Sequence, residues 1–406
     1  MLRGISRLMT IAAEVFFVHH NPVFYLEKRM ASQAEGKDYP ESVTAGQLLL
    51  QKDKALYEER AAANIENFIG TVRVPVGLAG PVTVHGEHAQ GVFHIPMATT
   101  EGTLVASTSR GMKVMNESGG VQVRVVRNGG VQRSPVFEFF NIEQARQFAT
   151  ELNADWGWLA PVMEATTSHG KLMDIRCWQM GKIVTVRMTM DSGDASGQNM
   201  VSISSQKAAQ ALAEKFPYMK RFLMAGGMSG EKVPANVNML LGRGKGVTAS
   251  VSISYDVMKK ITRADIADIP RLHQNYSNYA MWGGNRNSHH SIPNTAAAIF
   301  IATGQDVATL PECCQSQNLI EYDHDNRILH WEVHVPTLTV GTVGGGTSLP
   351  TQNECLEIMG CAGSGNVNKF AELCAVAALA DDISFWGAVC ANEWVNAHAD
   401  LKTRTE

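Results

Sequence analysis

One stretch constrains this chain more than any other: Ile95-Pro96-Met97-Ala98-Thr99-Thr100-Glu101-Gly102-Thr103-Leu104-Val105-Ala106-Ser107. It sets a single carboxylate inside a run of small and apolar residues that reads as the entry to a buried helix. Thr99 or Thr100 is placed to cap that helix, which predicts Glu101 in its first turn, where the positive end of the dipole favours a carboxylate. Taken alone, a helix-start acid is the simpler explanation, because single motifs often match by chance. The company Glu101 keeps along the chain changes that.

At 406 residues the chain is long enough for two or three domains. A formal net charge of −4 gives no electrostatic case for nucleic acid. The seven cysteines form no Cys-x-x-Cys pair and their number is odd, which predicts reduced thiols in a cytoplasmic protein. The apolar run at residues 11–18 is interrupted by Glu14 and is too short to span a bilayer, so an N-terminal amphipathic helix and a soluble protein are expected.

The pattern of elements predicts an α+β fold. Residues 66–81 alternate β-branched residues with Gly and Pro, as strands and tight turns do. After the Glu101 helix, Gly119-Gly120 provide a stop. Residues 121–126 and 131–139 flank Asn128-Gly129-Gly130, which predicts a hairpin. Residues 141–216 read helix, strand, strand, helix, with a Met180-Gly181 turn, and so predict a small inserted antiparallel sheet with helices. Between its second strand and second helix lies Asp191-Ser192-Gly193-Asp194-Ala195-Ser196-Gly197-Gln198-Asn199-Met200. Small residues at a helix N-terminus expose N–H groups, as a phosphate site requires, and a plain capped turn explains them as well. No Gly-x-Gly-x-x-Gly fingerprint or parallel βαβ unit accompanies them, which disfavours a Rossmann domain. Further on, residues 237–241 read as a strand after Lys232, and Gly242-Arg243-Gly244-Lys245-Gly246 lead into an alternating strand over 247–253. Ser254 is placed to cap a helix through Ile261, and a small-residue helix over 295–302 ends at Thr303-Gly304-Gln305-Asp306. A strand over 328–335 precedes the dense cluster Gly341-Thr342-Val343-Gly344-Gly345-Gly346-Thr347. Helices from Asn353 and from Lys369 to about His398 finish the chain.

These segments together resemble hydroxymethylglutaryl-CoA reductase. The resemblance runs from about Glu66 to His398, in the family's order: the 66–81 run, Pro96-Met97-Ala98-Thr99-Thr100-Glu101-Gly102, Gly193-Asp194-Ala195-x-Gly197-x-Asn199-Met200, Gly242-Arg243-Gly244-Lys245, Gly304-Gln305-Asp306 and 341–347. The Thr-Thr-Glu-Gly form is similar to the branch that includes the eukaryotic enzymes. The family reduces an acyl-CoA thioester to the alcohol by two hydride transfers from NAD(P)H. The resemblance implies Lys232 as the cation for the developing oxyanion and Glu101, close to a second carboxylate, as proton donor. Asp306 is that second carboxylate and also orients Lys232, and His398 protonates the departing thiolate. It implies cofactor contacts at Ser168, His169, Asp194, Ala195, Ser196, Gly197, Gln198, Asn199, Gly344 and Gly345, and substrate contacts at Glu66, Asn67, Arg133, Glu231 and Asn294. NADPH is the expected cofactor and NADH the alternative, because His169 stands where many members place an arginine. Residues 1–64 are expected as a helical segment, 65–135 and 225–406 as the acyl-CoA domain, and 136–224 as the nucleotide domain. A homodimer or higher homo-oligomer with sites between subunits is implied.

The residues expected around the acyl group depart from the family. Glu231-Lys232-Val233 replaces Asp-Lys-Lys, Ala225 replaces a serine, and Gln274 replaces a lysine; Arg133 keeps its family type. Losing two cations and a hydroxyl implies that the substrate is either hydroxymethylglutaryl-CoA with its far carboxylate held differently or a related acyl thioester lacking it, carried on CoA or on a carrier protein's phosphopantetheine arm, with His289 and His290 as replacement contacts. The rival reading, from another class, is a non-catalytic paralogue that binds nucleotide or CoA as a sensor or assembly partner.

Overall fold

The computed structural model describes residues 54–285 and 289–393. The expected N-terminal amphipathic helix and His398 lie outside the described residues. Helix α1 (Lys54–Asn64) is followed by an irregular exposed segment, and residues from Arg60 onward form one compact unit.

Strands β1 (Val76–Gly86) and β2 (Gln90–Ala98) form an antiparallel hairpin that pairs Val76 with Ala98. Helix α2 (Leu104–Glu117) follows, and Gly119 and Gly120 end it with φ of 92° and 99°. Strand β3 (Val121–Arg133) then runs the length of the sheet. The expected hairpin at Asn128-Gly129-Gly130 is absent: these residues are irregular positions within β3, where it leaves β8 (Gly244–Ser254) and takes β6 (Ile183–Asp191) as partner. A Cβ on Gly129 would overlap the backbone of Arg243, so glycine here serves close strand approach and not a turn.

Beyond that point lie β4 (Val136–Phe139), α3 (Ile142–Ala154), α4 (Leu159–Glu164), β5 (Lys171–Met180), β6, α5 (Gln198–Lys215) and β7 (Met219–Leu223). They enclose a core of their own around Phe137, Phe139, Phe148 and Phe216. Helix α6 (Asn236–Leu241) occupies the place of the expected strand over 237–241. Strand β8 shows the period of two that its sequence carries, with Val247, Ala249, Val251 and Ile253 buried. Ser254 caps α7 (Tyr255–Thr262) by accepting from Val257 N. After α8 (Ile269–Trp282) and α9 (Ile292–Thr303) come α10 (Leu310–Cys313), β9 (Gln317–Asp323), β10 (Ile328–Leu338), α11 (Pro350–Ile358) and α12 (Val367–Cys390). The sheet order is β7-β4-β6-β3-β8-β10-β9, with β1 parallel to β3.

Helix α12 is apolar on all sides, which marks a helix buried in a core, and 83% of its most apolar window is inside the protein. It ends at Cys390, short of the expected end near residue 398. Its acids are used internally: Glu372 accepts from the backbone N–H groups of Glu87, His88 and Ala89 and so fixes the β1–β2 turn.

Candidate active site

Lys232 and Asp306 meet. The lysine Nζ lies 2.9 Å from Asp306 Oδ2, with the side chains 43% and 41% exposed. Asp306 is fixed by its own turn, since its Oδ1 accepts from Ala308 N at 3.0 Å. The preceding Gly304 ends α9 in the left-handed region, φ 70°, and a Cβ there would overlap the carbonyl of Gly346. Gln305 joins the same two segments through its amide, which donates to Gly341 O and accepts from Gly341 N. The Gly-Gln-Asp motif and the glycine cluster thus form one joint.

Glu101 stands elsewhere. It precedes Thr103, the N-cap of α2, and so is outside the helix it was expected to begin; its N–H is bonded to Thr99 Oγ1. Neither Thr99 nor Thr100 caps α2. The Glu101 side chain is exposed and, among the described residues, makes no hydrogen bond or ion pair with Lys232 or Asp306. The carboxylate that feels Glu101 is Asp381 on α12. Burial pushes the Asp381 carboxyl up to about 7; a hydrogen bond from Ser107 opposes the rise, and the neighbouring Asp382 and Glu101 charges add to it.

His289 and His290 are packed inward and do not form a substrate-facing pair. His289 is buried, accepts from Ile292 N and lies 3.8 Å from Asp382; burial lowers its pKa, and Asp382 opposes that shift. His290 stacks on Phe385 with centroids 4.0 Å apart. Arg133 is already engaged: its guanidinium pairs with Glu231, and its Nε donates to Ser202 Oγ at 2.7 Å. Ala225, Val233, Gln274, Asn294, Glu66 and Asn67 are exposed.

The 191–200 turn enters α5 through Gly197, φ 76°, with no side-chain cap. Its first N–H groups are therefore left to a ligand or water. The Gln198 side-chain amide is buried there with neither its oxygen nor its nitrogen bonded. Asp194 points the other way, accepting from Gly365 N and Val367 N at the start of α12. Gly341 packs so closely on the turn that a Cβ would lie 2.7 Å from Ser196 N and 3.0 Å from Asp194 O. Gly344 and Gly345 have positive φ and open space around them; Ser168 and His169 are exposed. A cleft beside the turn is lined by Asn128, Ser192, Gly193, Ser196 and Lys245. Burial lowers the Lys245 pKa, with Asp191 and Asp194 opposing it. Sequence reading placed Lys245 in a motif but gave it no role; the glycine spacing before an alternating strand was the available signal.

The fold is shared with solved reductases. A 3-hydroxy-3-methylglutaryl-coenzyme A reductase of Streptococcus pneumoniae matches with a TM-score of 0.67 at 20% identity, over 92% of this chain and 98% of that one. A second structure from that organism, a class II enzyme bound to NADPH in open conformations, matches with a TM-score of 0.64 at 20% identity, over 84% and 81% of the two chains. The architecture is thus the α+β fold of these oxidoreductases. At the sequence level, the family model described as hydroxymethylglutaryl-coenzyme A reductase matches residues 28–403. The 3-hydroxy-3-methylglutaryl-coenzyme A reductase of Aeropyrum pernix is 37% identical over 92% of this chain and 91% of its own. That of Pyrococcus abyssi is 37% identical over 84% and 85%. Reductase 2 of Solanum tuberosum is 36% identical over 86% of this chain and 60% of its own. The chain belongs to the hydroxymethylglutaryl-CoA reductase family, a family of oxidoreductases.

Proposed function

We propose that this protein reduces an acyl-CoA thioester to the alcohol with NADPH, and that Lys232, Asp306, Glu101 and His398 carry the chemistry. The observation that carries the reading is the Lys232–Asp306 pair at 2.9 Å. A carboxylate holding an ammonium in one direction presets a cation where an oxyanion develops, which contributes to rate because it costs no reorganisation during reaction. Glu101 delivers the proton to the reduced carbon's oxygen, and His398 that to the departing thiolate. NADPH, when bound, supplies hydride. The uncapped start of α5, the unbonded Gln198 amide and the open Gly344-Gly345 backbone fit a nucleotide, and Ser168 and His169 stand ready for its outer phosphate. Glu66, Asn67 and Asn294 are proposed CoA and acyl contacts, with residues 136–224 as the nucleotide domain and 65–135 with 225–406 as the acyl-CoA domain; the two separate cores support that division. Residues 1–64 form the remaining segment.

The acyl end is proposed to differ from hydroxymethylglutaryl or to be held differently. Arg133, which keeps the family's type, is already neutralised by Glu231, and Ala225, Val233 and Gln274 offer no cation. A carboxylate buried without a partner costs several kcal/mol. Assignment to the Thr-Thr-Glu-Gly branch is supported by 36–37% identity to archaeal and potato enzymes against 20% to the class II structures. Seven unpaired cysteines support a reducing, cytoplasmic setting. Exposed Ile69, Val72 and Trp282, with no side-chain partner for Glu101 among the described residues, support a homo-oligomer whose sites use two subunits.

The test is NADPH oxidation with hydroxymethylglutaryl-CoA and with neutral acyl thioesters, with Lys232→Ala as the control. Turnover lost in the variant is expected, with neutral thioesters preferred. Efficient use of hydroxymethylglutaryl-CoA overturns the altered acyl end, and full activity of Lys232→Ala overturns the site.

A further inference from the structure

Lys232 has a second peculiarity: its backbone is left-handed, φ 58°. Such a conformation costs a non-glycine residue about 1 kcal/mol or more and persists only where surrounding contacts impose it. Here the contact is made by the backbone N–H of the same residue. Lys232 N donates to Glu312 Oε1 at 2.7 Å. Glu312 sits on α10, is 1% exposed, and is held from three sides. Arg243 Nε lies 2.9 Å from its Oε2 with both side chains at zero exposure, Thr339 Oγ1 donates to Oε2, and Thr337 Oγ1 donates to its carbonyl. Thr337 and Thr339 belong to β10 and the residues just after it, so the carboxylate is fixed to the central sheet. Arg243 is held in turn by Gln132.

From this we infer that Glu312 is a positioning residue for Lys232, acting with Arg243 as a buried clamp. The short segment 306–312 then holds the same lysine twice: Asp306 takes its ammonium and Glu312 takes its backbone N–H. A lysine stem has four rotatable carbons, so a carboxylate at the tip alone leaves the base of the side chain free to wander. Fixing both ends defines where the ammonium points. Among the described residues, nothing else bonds the Lys232 N–H. The inference rests on the assignment of Lys232 given above.

Two variants and two readouts test it. Glu312→Asp keeps a carboxylate opposite Arg243 but withdraws the oxygen from Lys232 N by one methylene. Glu312→Gln keeps the shape and obliges an amide donor to face either Arg243 or Lys232 N–H. In each, kcat for thioester reduction should fall about 10- to 100-fold, the loss expected when a catalytic group is displaced by about 1 Å, with KM for NADPH changed less than about threefold. Hydrogen exchange by mass spectrometry should show lost protection in the peptide covering residues 229–235, with β8 and β10 unchanged, a pattern that general loosening of the fold does not give. If Glu312→Asp, folded by near-ultraviolet circular dichroism, keeps wild-type kcat and wild-type exchange while Lys232→Ala is inactive, the clamp is wrong and the site stands. If Lys232→Ala retains turnover, the site assignment fails first and takes the clamp with it.

Discussion

An ammonium on a long stem contributes to catalysis through its direction, and the Lys232–Asp306 contact should be judged on that basis. Both side chains are about two-fifths exposed, and ion pairs of that kind add roughly 0–1 kcal/mol to stability. Asp306→Asn preserves the bond to Ala308 N, so melting temperature should stay nearly constant. Without the negative charge, Lys232 loses its orienting partner, and kcat should fall about 100-fold or more. Steady-state kinetics beside calorimetry separates the two; a stability loss matching the rate loss would make Asp306 structural. Asp381 raises a different question, that of pH. Its carboxyl rises from 3.8 to about 7 in the folded chain through burial. The folded state therefore binds the proton more tightly than the unfolded one, and between about pH 4 and 7 stability falls as pH rises. The full difference reaches about 4 kcal/mol as an upper figure for an isolated site. Asp381→Asn should raise the urea midpoint at pH 8, and the gain should vanish near pH 4. An equal midpoint shift at both pH values would show that Asp381 charge is not the cause.

At the scale of elements, the crossing of α2 and α12 is the tightest contact to test. A Cβ on Gly111 would overlap the carbonyl oxygen of Ala380, backbone that no rotamer change can move. Gly111→Ala, favourable for helix propensity by about 1 kcal/mol, should here destabilise by about 1–3 kcal/mol because overpacking prevails. Equilibrium urea unfolding decides it, and a stabilised variant would mean the helices separate without cost. The same crossing explains what the sequence could convey. Strand β8, helix α7 and the α3–β5–β6–α5 insert were legible because period and cap residues are local signals. Asn128-Gly129-Gly130 misled because a glycine pair has two causes, a turn or a close approach, and only the position of Arg243 reveals which applies. Helix α6 was misread as a strand because six apolar-rich residues carry too little period to decide. Lys232 and Asp306 were legible as motif residues. Glu312 and Asp381 were not, since a buried acid is identified by distant partners, here Arg243 and Thr339 for one and Ser107 for the other.

The whole molecule must supply what a single chain does not bring together. Lys232 and Asp306 are paired by segments flanking α9 and α6, whereas Glu101 lies at the entry to α2, near Asp381, and among the described residues its side chain has no hydrogen-bond or ion-pair partner. The proposed role of Glu101 as proton donor is poorly served within one subunit, and well served if the Lys232–Asp306 pair of another subunit faces it. Near-complete exposure of Ile69, Val72 and Trp282 agrees with surfaces that associate. The proposed shared site yields a prediction that a self-contained site does not make. Glu101→Gln and Lys232→Ala should each be inactive alone. Mixed after subunit exchange, they should regain activity, because a hybrid dimer holds one site with both defects and one with neither, and random pairing makes about half of all dimers hybrid. Recovery should therefore approach about one quarter of wild-type activity per subunit, with sedimentation confirming the dimer throughout. Mixtures that exchange subunits and stay inactive would place Glu101 and Lys232 of the same chain in one site, and Glu101 would then have to close onto its own lysine when substrate binds.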